Sequence, residues 1–185
     1  MARLIETTPC AGLLPQTIGR VELTEVLASP VTLVAPFAGQ QKAVSNALKS
    51  AIGVGFPNPN RTLGTDPRVV WCGMGQALVI GADCPDLTGL AAVVDQSDAW
   101  TMVQIKGSDA RDVLARLTPI DLRDSQFKRG HTARTLLGHM TVSITRVGAS
   151  TYDVMAMRSM AGTLVHDLTE AATGVAGRAS LPQAD

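Results

Sequence analysis

With 185 residues, the chain is long enough to bury most of its apolar surface in one compact domain or two packed halves, without disulfide or metal staples. Lys and Arg total 16 and Asp and Glu total 16, so the formal net charge is zero and the basic excess of a nucleic-acid binder is missing. Aromatic residues make up 3% of the chain, which removes the stacking platforms for single strands and leaves the core to aliphatic residues and Met.

A hydrophobic fraction of 45% against 17% charged residues describes a globular chain with no disordered composition. Combined with neutrality, it points to a surface partly covered by partners. Cys10, Cys72 and Cys84 are odd in number, widely spaced and form no CxxC pair, which argues against a disulfide framework or a zinc site. Reduced, mostly buried thiols are the expectation. No apolar run approaches the ~18 residues a bilayer span needs. Met1-Ala-Arg-Leu-Ile-Glu reaches an acidic residue before any signal-peptide-like apolar stretch forms. These features predict a cytoplasmic protein.

Residues 1–30 contain Pro9, Gly12, Pro15, Gly19 and Pro30 with no sustained period, and predict an extended arm with one short strand. Such an arm packs on its own domain or reaches across a neighbour. Val31-Thr-Leu-Val-Ala then predicts a strand and residues 39–52 a helix, with Val44, Leu48, Ala51 and Ile52 on one face. Gly53 and Gly55 end it. Beyond Phe56-Pro-Asn-Pro-Asn60, two apolar runs, 69–72 and 77–80, flank Gly73-Met74-Gly75-Gln76 as a hairpin.

A short strand around Val93-Val94 leads into a second segment of the same pattern. Trp100-Thr-Met-Val-Gln-Ile105 predicts a strand, and Ser108 is placed to cap a helix to about Leu117 with Ala110, Val113, Leu114 and Leu117 inward. A long strand from about Arg134 to Val147 turns at Gly148-Ala149-Ser150 into another over 151–157. A last helix is expected from about Ser159 to Ala172, with residues 174–185 a loose tail. Strand–helix–strand–strand therefore occurs twice. The fold class is α+β: a duplicated unit over 31–173, in halves of approximately 31–92 and 93–173, with mostly antiparallel sheets and helices on one face.

Residues able to carry chemistry are sparse. His131 and His139 lie eight apart around a predicted strand, but neither HxH nor HExxH is present and no Cys, Asp or Glu adds a metal-ligand spacing. Gly73-Met-Gly-Gln-Ala lacks the third glycine of a dinucleotide fingerprint and is followed by a strand, so a turn explains it better. Gly107-Ser-Asp-Ala is not a nucleophile elbow. No set of acid, base, nucleophile and oxyanion donors can be assembled, so catalytic, cofactor-binding and metal-binding residues are all expected to be absent. The densest charged stretch runs from Asp121 to His131. Its Arg123, Phe127, Lys128, Arg129 and His131 form a candidate partner-docking surface, with Phe127 read as an exposed anchor.

From Val94 to Thr173 the sequence is specific enough to resemble a known family. Val94-Asp-Gln-Ser-Asp-Ala-Trp-Thr-Met-Val-Gln-Ile-Lys-Gly-Ser-Asp-Ala-Arg-Asp-Val-Leu, then Pro119-Ile-Asp-Leu-Arg, Phe127-Lys-Arg-Gly-His-Thr-Ala-Arg-Thr-Leu-Leu-Gly-His-Met and Tyr152-Asp-Val-Met-Ala-Met-Arg-Ser resemble the gamma subunit of heterotetrameric sarcosine oxidase. That family is in turn similar to the folate-binding domain of aminomethyltransferases, which share Gly-x-Asp-Ala before a helix and a glycine-bearing strand. Aminomethyltransferases usually carry an acidic residue just after the glycine matching Gly138. Here His139-Met140-Thr141 follows, which argues for the fold without the folate chemistry.

The resemblance implies a complex of four different subunits that oxidises sarcosine to glycine with oxygen and tetrahydrofolate. It implies alpha, beta and delta subunits as partners, with FAD, FMN, NAD, tetrahydrofolate and zinc held there and no cofactor in this chain. This chain then has an assembly role, contacting the larger subunits through its amino-terminal arm and the 123–131 loop. The alternative is a stand-alone folate-binding or aminomethyltransferase-like enzyme, which needs a concave pocket with a carboxylate, Asp95 or Asp121. A third reading, a general binding module, expects a stable monomer with an open apolar patch.

Overall fold

The computed structural model describes residues 5–179. Its strands fall into two antiparallel sheets. The first gathers β3 (Val31–Pro36), β4 (Thr62–Gly64), β5 (Arg68–Gly73), β6 (Gln76–Ile80) and β7 (Ala91–Asp95) in the order β4-β5-β6-β3-β7. The second gathers β1 (Gln16–Ile18), β2 (Val21–Glu25), β8 (Trp100–Lys106), β9 (Thr132–Leu137), β10 (Met140–Gly148) and β11 (Thr151–Met157) in the order β1-β2-β8-β11-β10-β9.

Helix α1 (Gln41–Ile52) covers the first sheet, and α2 (Ala110–Leu117) and α3 (Ala161–Ala179) cover the second. Val44 and Leu48 of α1 pack on Val34, Val69 and Val79; Val113, Leu164 and Leu168 pack on Ile105, Ile144 and Val154. The faces turned away from the helices meet each other. Val31, Val70, Leu78 and Ile80 of one sheet cluster with Met102 and Met155 of the other. The layers are therefore helix, sheet, sheet, helix. Each sheet has helices on one face, as the duplicated pattern predicts.

The duplication is closer than the sequence pattern. The orders β4-β5-β6-β3 and β9-β10-β11-β8 are the same walk through two halves. The fifth strand is exchanged. β2 leads into the first half but pairs with β8 of the second, Leu23 opposite Ile105. β7 leads into the second half but pairs with β3 of the first, Val93 opposite Val34. At the junction the halves bond reciprocally: the Thr62 amide donates to the Gly130 carbonyl at 2.9 Å, and the Thr132 amide to the Asn60 carbonyl at 3.1 Å. Asn60 (φ 59°) and Gly130 (φ 81°) take the same left-handed conformation there.

Several boundaries differ from the sequence expectation for identifiable reasons. The arm carries two strands rather than one, and packs on its own domain. Cys10 is fully buried, and Glu25 accepts from the Cys10 amide (2.9 Å) and the Thr8 hydroxyl (2.6 Å). The long strand expected from Arg134 to Val147 is a hairpin, β9 to β10, because Gly138 takes φ 56° and reverses the chain at Gly138-His139. Ser108 does not cap α2. Asp109 occupies that position without a capping bond, because its carboxylate turns to Arg20 instead. The last helix starts at Ala161, after a 3-10 turn over Arg158–Met160, and runs on to Ala179. Gly174 and Gly177 lie inside it, and Ala172 on its inner face is buried. Residues 180–185 of the expected tail lie outside the described range.

Candidate functional site: the cleft between the sheets

Where the two sheets diverge near the Asn60–Gly130 junction they leave a cleft of about 870 Å³, lined by Val26–Ser29, Thr65, Asp66, Arg68, Gln104, Arg129, Arg146 and Asp153. Concave, mixed apolar and polar hollows of this size suit small molecules or chain segments. At its floor Arg68 of β5 reaches across to Asp153 of β11, with nitrogen and oxygen 2.5 Å apart. Asp153 also accepts from the Gln104 amide at 2.9 Å, and Arg68 lies 2.9 Å from the Met102 sulfur.

Arg146 is held as tightly. It donates to the carbonyls of Phe127 (2.7 Å), Ala149 (2.5 Å) and Gly148 (3.1 Å), pairs with Asp124 at 3.0 Å and lies over the Tyr152 ring. Arg146, buried, and Arg68, largely so, are thus each matched by acceptors of the chain itself. Arg129 stands exposed at the mouth.

The nucleophile candidates are restrained by burial. Burial pushes the Cys72 thiol up to about 11 against a small opposing pull from Arg134, and it also raises Cys10 and Cys84. A thiol held protonated is a poor nucleophile. His131 is half-buried, and burial with the nearby Arg61 and Lys128 lowers its affinity for a proton. His139 lies exposed at the β9–β10 turn. Among the described residues no three His, Cys, Asp or Glu side chains come together in a metal-binding group.

The predicted docking loop divides. Arg123, Lys128 and Arg129 are exposed. Phe127 is not: it is 7% exposed, sits in the core of the second half and meets the His131 ring edge-on at 5.9 Å. The reading of Phe127 as an exposed anchor is corrected; an apolar ring in a charged loop is here the plug that fixes the loop to the core. Arg123 is occupied by Asp121, to which it donates from two nitrogens at 2.9 and 2.5 Å. That bonding holds the Asp121 carboxyl below its usual range. Asp95 likewise accepts from the Ser97 hydroxyl and amide, which lower it. Neither carboxylate lines the cleft. Those that do are Asp66 and Asp153. One signal for Asp153 was present: a lone charge within the apolar strand β11 (Thr151–Met157).

The architecture defines a duplicated two-sheet α+β domain with a cleft floored by a neutralised ion pair. Residues 85–174 match the model of the sarcosine oxidase, gamma subunit family, which bears out the resemblance read from residues 94–173. A chain in the solved heterotetrameric sarcosine oxidase from Corynebacterium sp. U-96, in complex with pyrrole 2-carboxylate, has the same fold: TM-score 0.79, 22% identity, covering 97% of this chain and 99% of that one. No curated protein matches the sequence.

Proposed function

We propose that this chain is the gamma subunit of a heterotetrameric sarcosine oxidase and contributes assembly, not reacting groups. The observation that carries this is the family match over residues 85–174 together with an end-to-end likeness in fold to a chain of such a complex. The site chemistry agrees with it. Of the cleft arginines, Arg68 and Arg146 are matched by Asp153, Asp124 and backbone carbonyls, and burial raises the thiols.

On this reading the alpha, beta and delta subunits hold FAD, FMN, NAD, tetrahydrofolate and zinc, and the complex converts sarcosine to glycine in the cytoplasm. No helix among the described residues is long and apolar enough to cross a membrane. Arg123, Lys128, Arg129 and the exposed edge of His131 remain the candidate contact surface of the 123–131 loop, without Phe127.

The test is co-purification of the tagged chain from its native cells, with mass spectrometry and an absorbance spectrum. Three further subunits and a flavin spectrum are expected. A solitary, colourless chain that binds a reduced folate would overturn the reading in favour of a stand-alone enzyme.

A further inference from the structure

We propose that the free edge of β7 takes an extended segment of a partner subunit as a sixth, antiparallel strand of the first sheet. This rests on the subunit reading above and names the edge that serves it. The argument comes from the internal repeat. β2 (21–25) and β7 (91–95) hold matching places beside β8 and β3, and each follows a left-handed glycine, Gly19 (φ 57°) or Gly89 (φ 77°). β2 has its outer edge covered by β1, with Leu23 opposite Gln16 and fully buried. At the corresponding place before β7, the segment 86–88 is not a strand. The Thr88 amide and hydroxyl both donate to Asp86 Oδ1, and Leu87 plugs the core under α1. The segment that would cover β7 is held elsewhere.

The edge left open is suited to pairing. The Phe37 amide donates to the Leu90 carbonyl and the Gln96 amide to the Val31 carbonyl. That alternation turns the backbone groups of Ala92 and Val94 toward β3 and those of Val93 and Asp95 away from it. Among the described residues no strand lies beyond β7. Val93 and Val94, which point to opposite faces, are 43% and 50% exposed. The strand Ala91-Ala-Val-Val-Asp95 carries no Lys, Pro or bulge, and its one charge, Asp95, stands at its end, so few of the devices that keep a free edge from pairing are present. The pairing on β2 sets the expected form, about three residues and antiparallel. On β7 it is centred on Val93, because the Ala91 amide already donates to the Leu87 carbonyl, with apolar side chains on both faces of the incoming strand. A complex of four different subunits holds one copy of this chain, so the occupant is a segment of another subunit.

The test is co-expression of the full chain with its three partner subunits, comparing wild type with Val93→Pro and Val94→Lys. Proline at 93 removes an amide that faces away from β3, so the chain's own sheet is kept and its unfolding midpoint should stay near wild type. Incorporation into the complex should fall by about tenfold or more, through a lost backbone hydrogen bond and its neighbours. Hydrogen exchange at the Val93 and Asp95 amides should slow on assembly. Normal incorporation of both variants, or unchanged exchange in a wild-type complex, would overturn the edge proposal and leave the subunit reading standing. Failure of the wild-type chain to assemble would overturn the subunit reading itself. A dimer of the isolated chain that Val93→Pro dissolves would overturn the proposal by assigning the edge to a second copy.

Discussion

Arg68 and Asp153 join the two sheets by an ion pair at 2.5 Å, and their side chains are 11% and 4% exposed. The two residues come from different halves of the duplication, so the pair ties one half to the other. Removing one partner leaves the other charge unpaired and mostly buried at the floor of the cleft, whereas replacing both with apolar residues does not. Asp153→Leu or Arg68→Met alone should therefore lower unfolding free energy by about 3–5 kcal/mol. The double replacement should recover much of that loss. Urea unfolding of the three variants checks it, and additive losses would sink the argument.

Phe127 and Arg129, two residues apart in one loop, should respond oppositely. Phe127 fills the core of the second half beside Leu122. Phe127→Ala should cost about 3–5 kcal/mol of stability by emptying that space. Arg129 is exposed, so Arg129→Ala should leave stability within about 0.5 kcal/mol of wild type. Thermal unfolding separates the two. A Phe127→Ala chain as stable as wild type would restore that ring to the surface.

The sequence was legible where one periodicity governed one element. The α1 stripe with Val44 and Leu48 and the hairpin around Met74-Gly75 follow from local spacing, and so does the existence of two halves. Phe127 was misread because charge density describes a segment, while burial belongs to a single side chain. The β9–β10 reversal turned on one glycine, Gly138, inside an otherwise strand-like run. Strand exchange between the halves was not legible. β2 and β7 pair with strands far from them in sequence, and local pattern carries no partner information. The Arg68–Asp153 contact was hidden for the same reason.

Cys72 gives a pH dependence. Its thiol sits at about 11 in the folded chain against 9.0 for an ordinary cysteine. The folded value is raised, so the stabilisation is fully present below pH 9.0 and is lost as pH climbs to about 11, because the unfolded thiol ionises first. Stability should fall over that window, and Cys72→Ala should flatten the fall. Iodoacetamide should label Cys72 slowly in the native chain at pH 8 and rapidly in urea. Fast native labelling would show that the thiol is not shielded.

Gly107-Ser-Asp-Ala, the motif shared with the aminomethyltransferase resemblance, works here as the seat of the amino-terminal arm. Gly107 takes φ 138°, and a Cβ there would collide with the Arg20 carbonyl at the β1–β2 turn. Two residues on, the buried Asp109 receives Arg20 through two contacts, Nη2 at 2.9 Å and Nε at 3.0 Å. Backbone approach and ion pair hold the same residue from two sides. Gly107→Ala should displace the turn and loosen β1 and β2 from β8, with a cost above the ~1 kcal/mol of a typical substitution. Asp109→Asn keeps the shape and part of the hydrogen bonding, so it should cost less. Limited proteolysis reports this directly: cleavage within residues 5–25 should rise sharply in Gly107→Ala and modestly in Asp109→Asn. An arm as resistant in Gly107→Ala as in wild type would mean that the sheet pairing of β2 with β8 holds it without the motif.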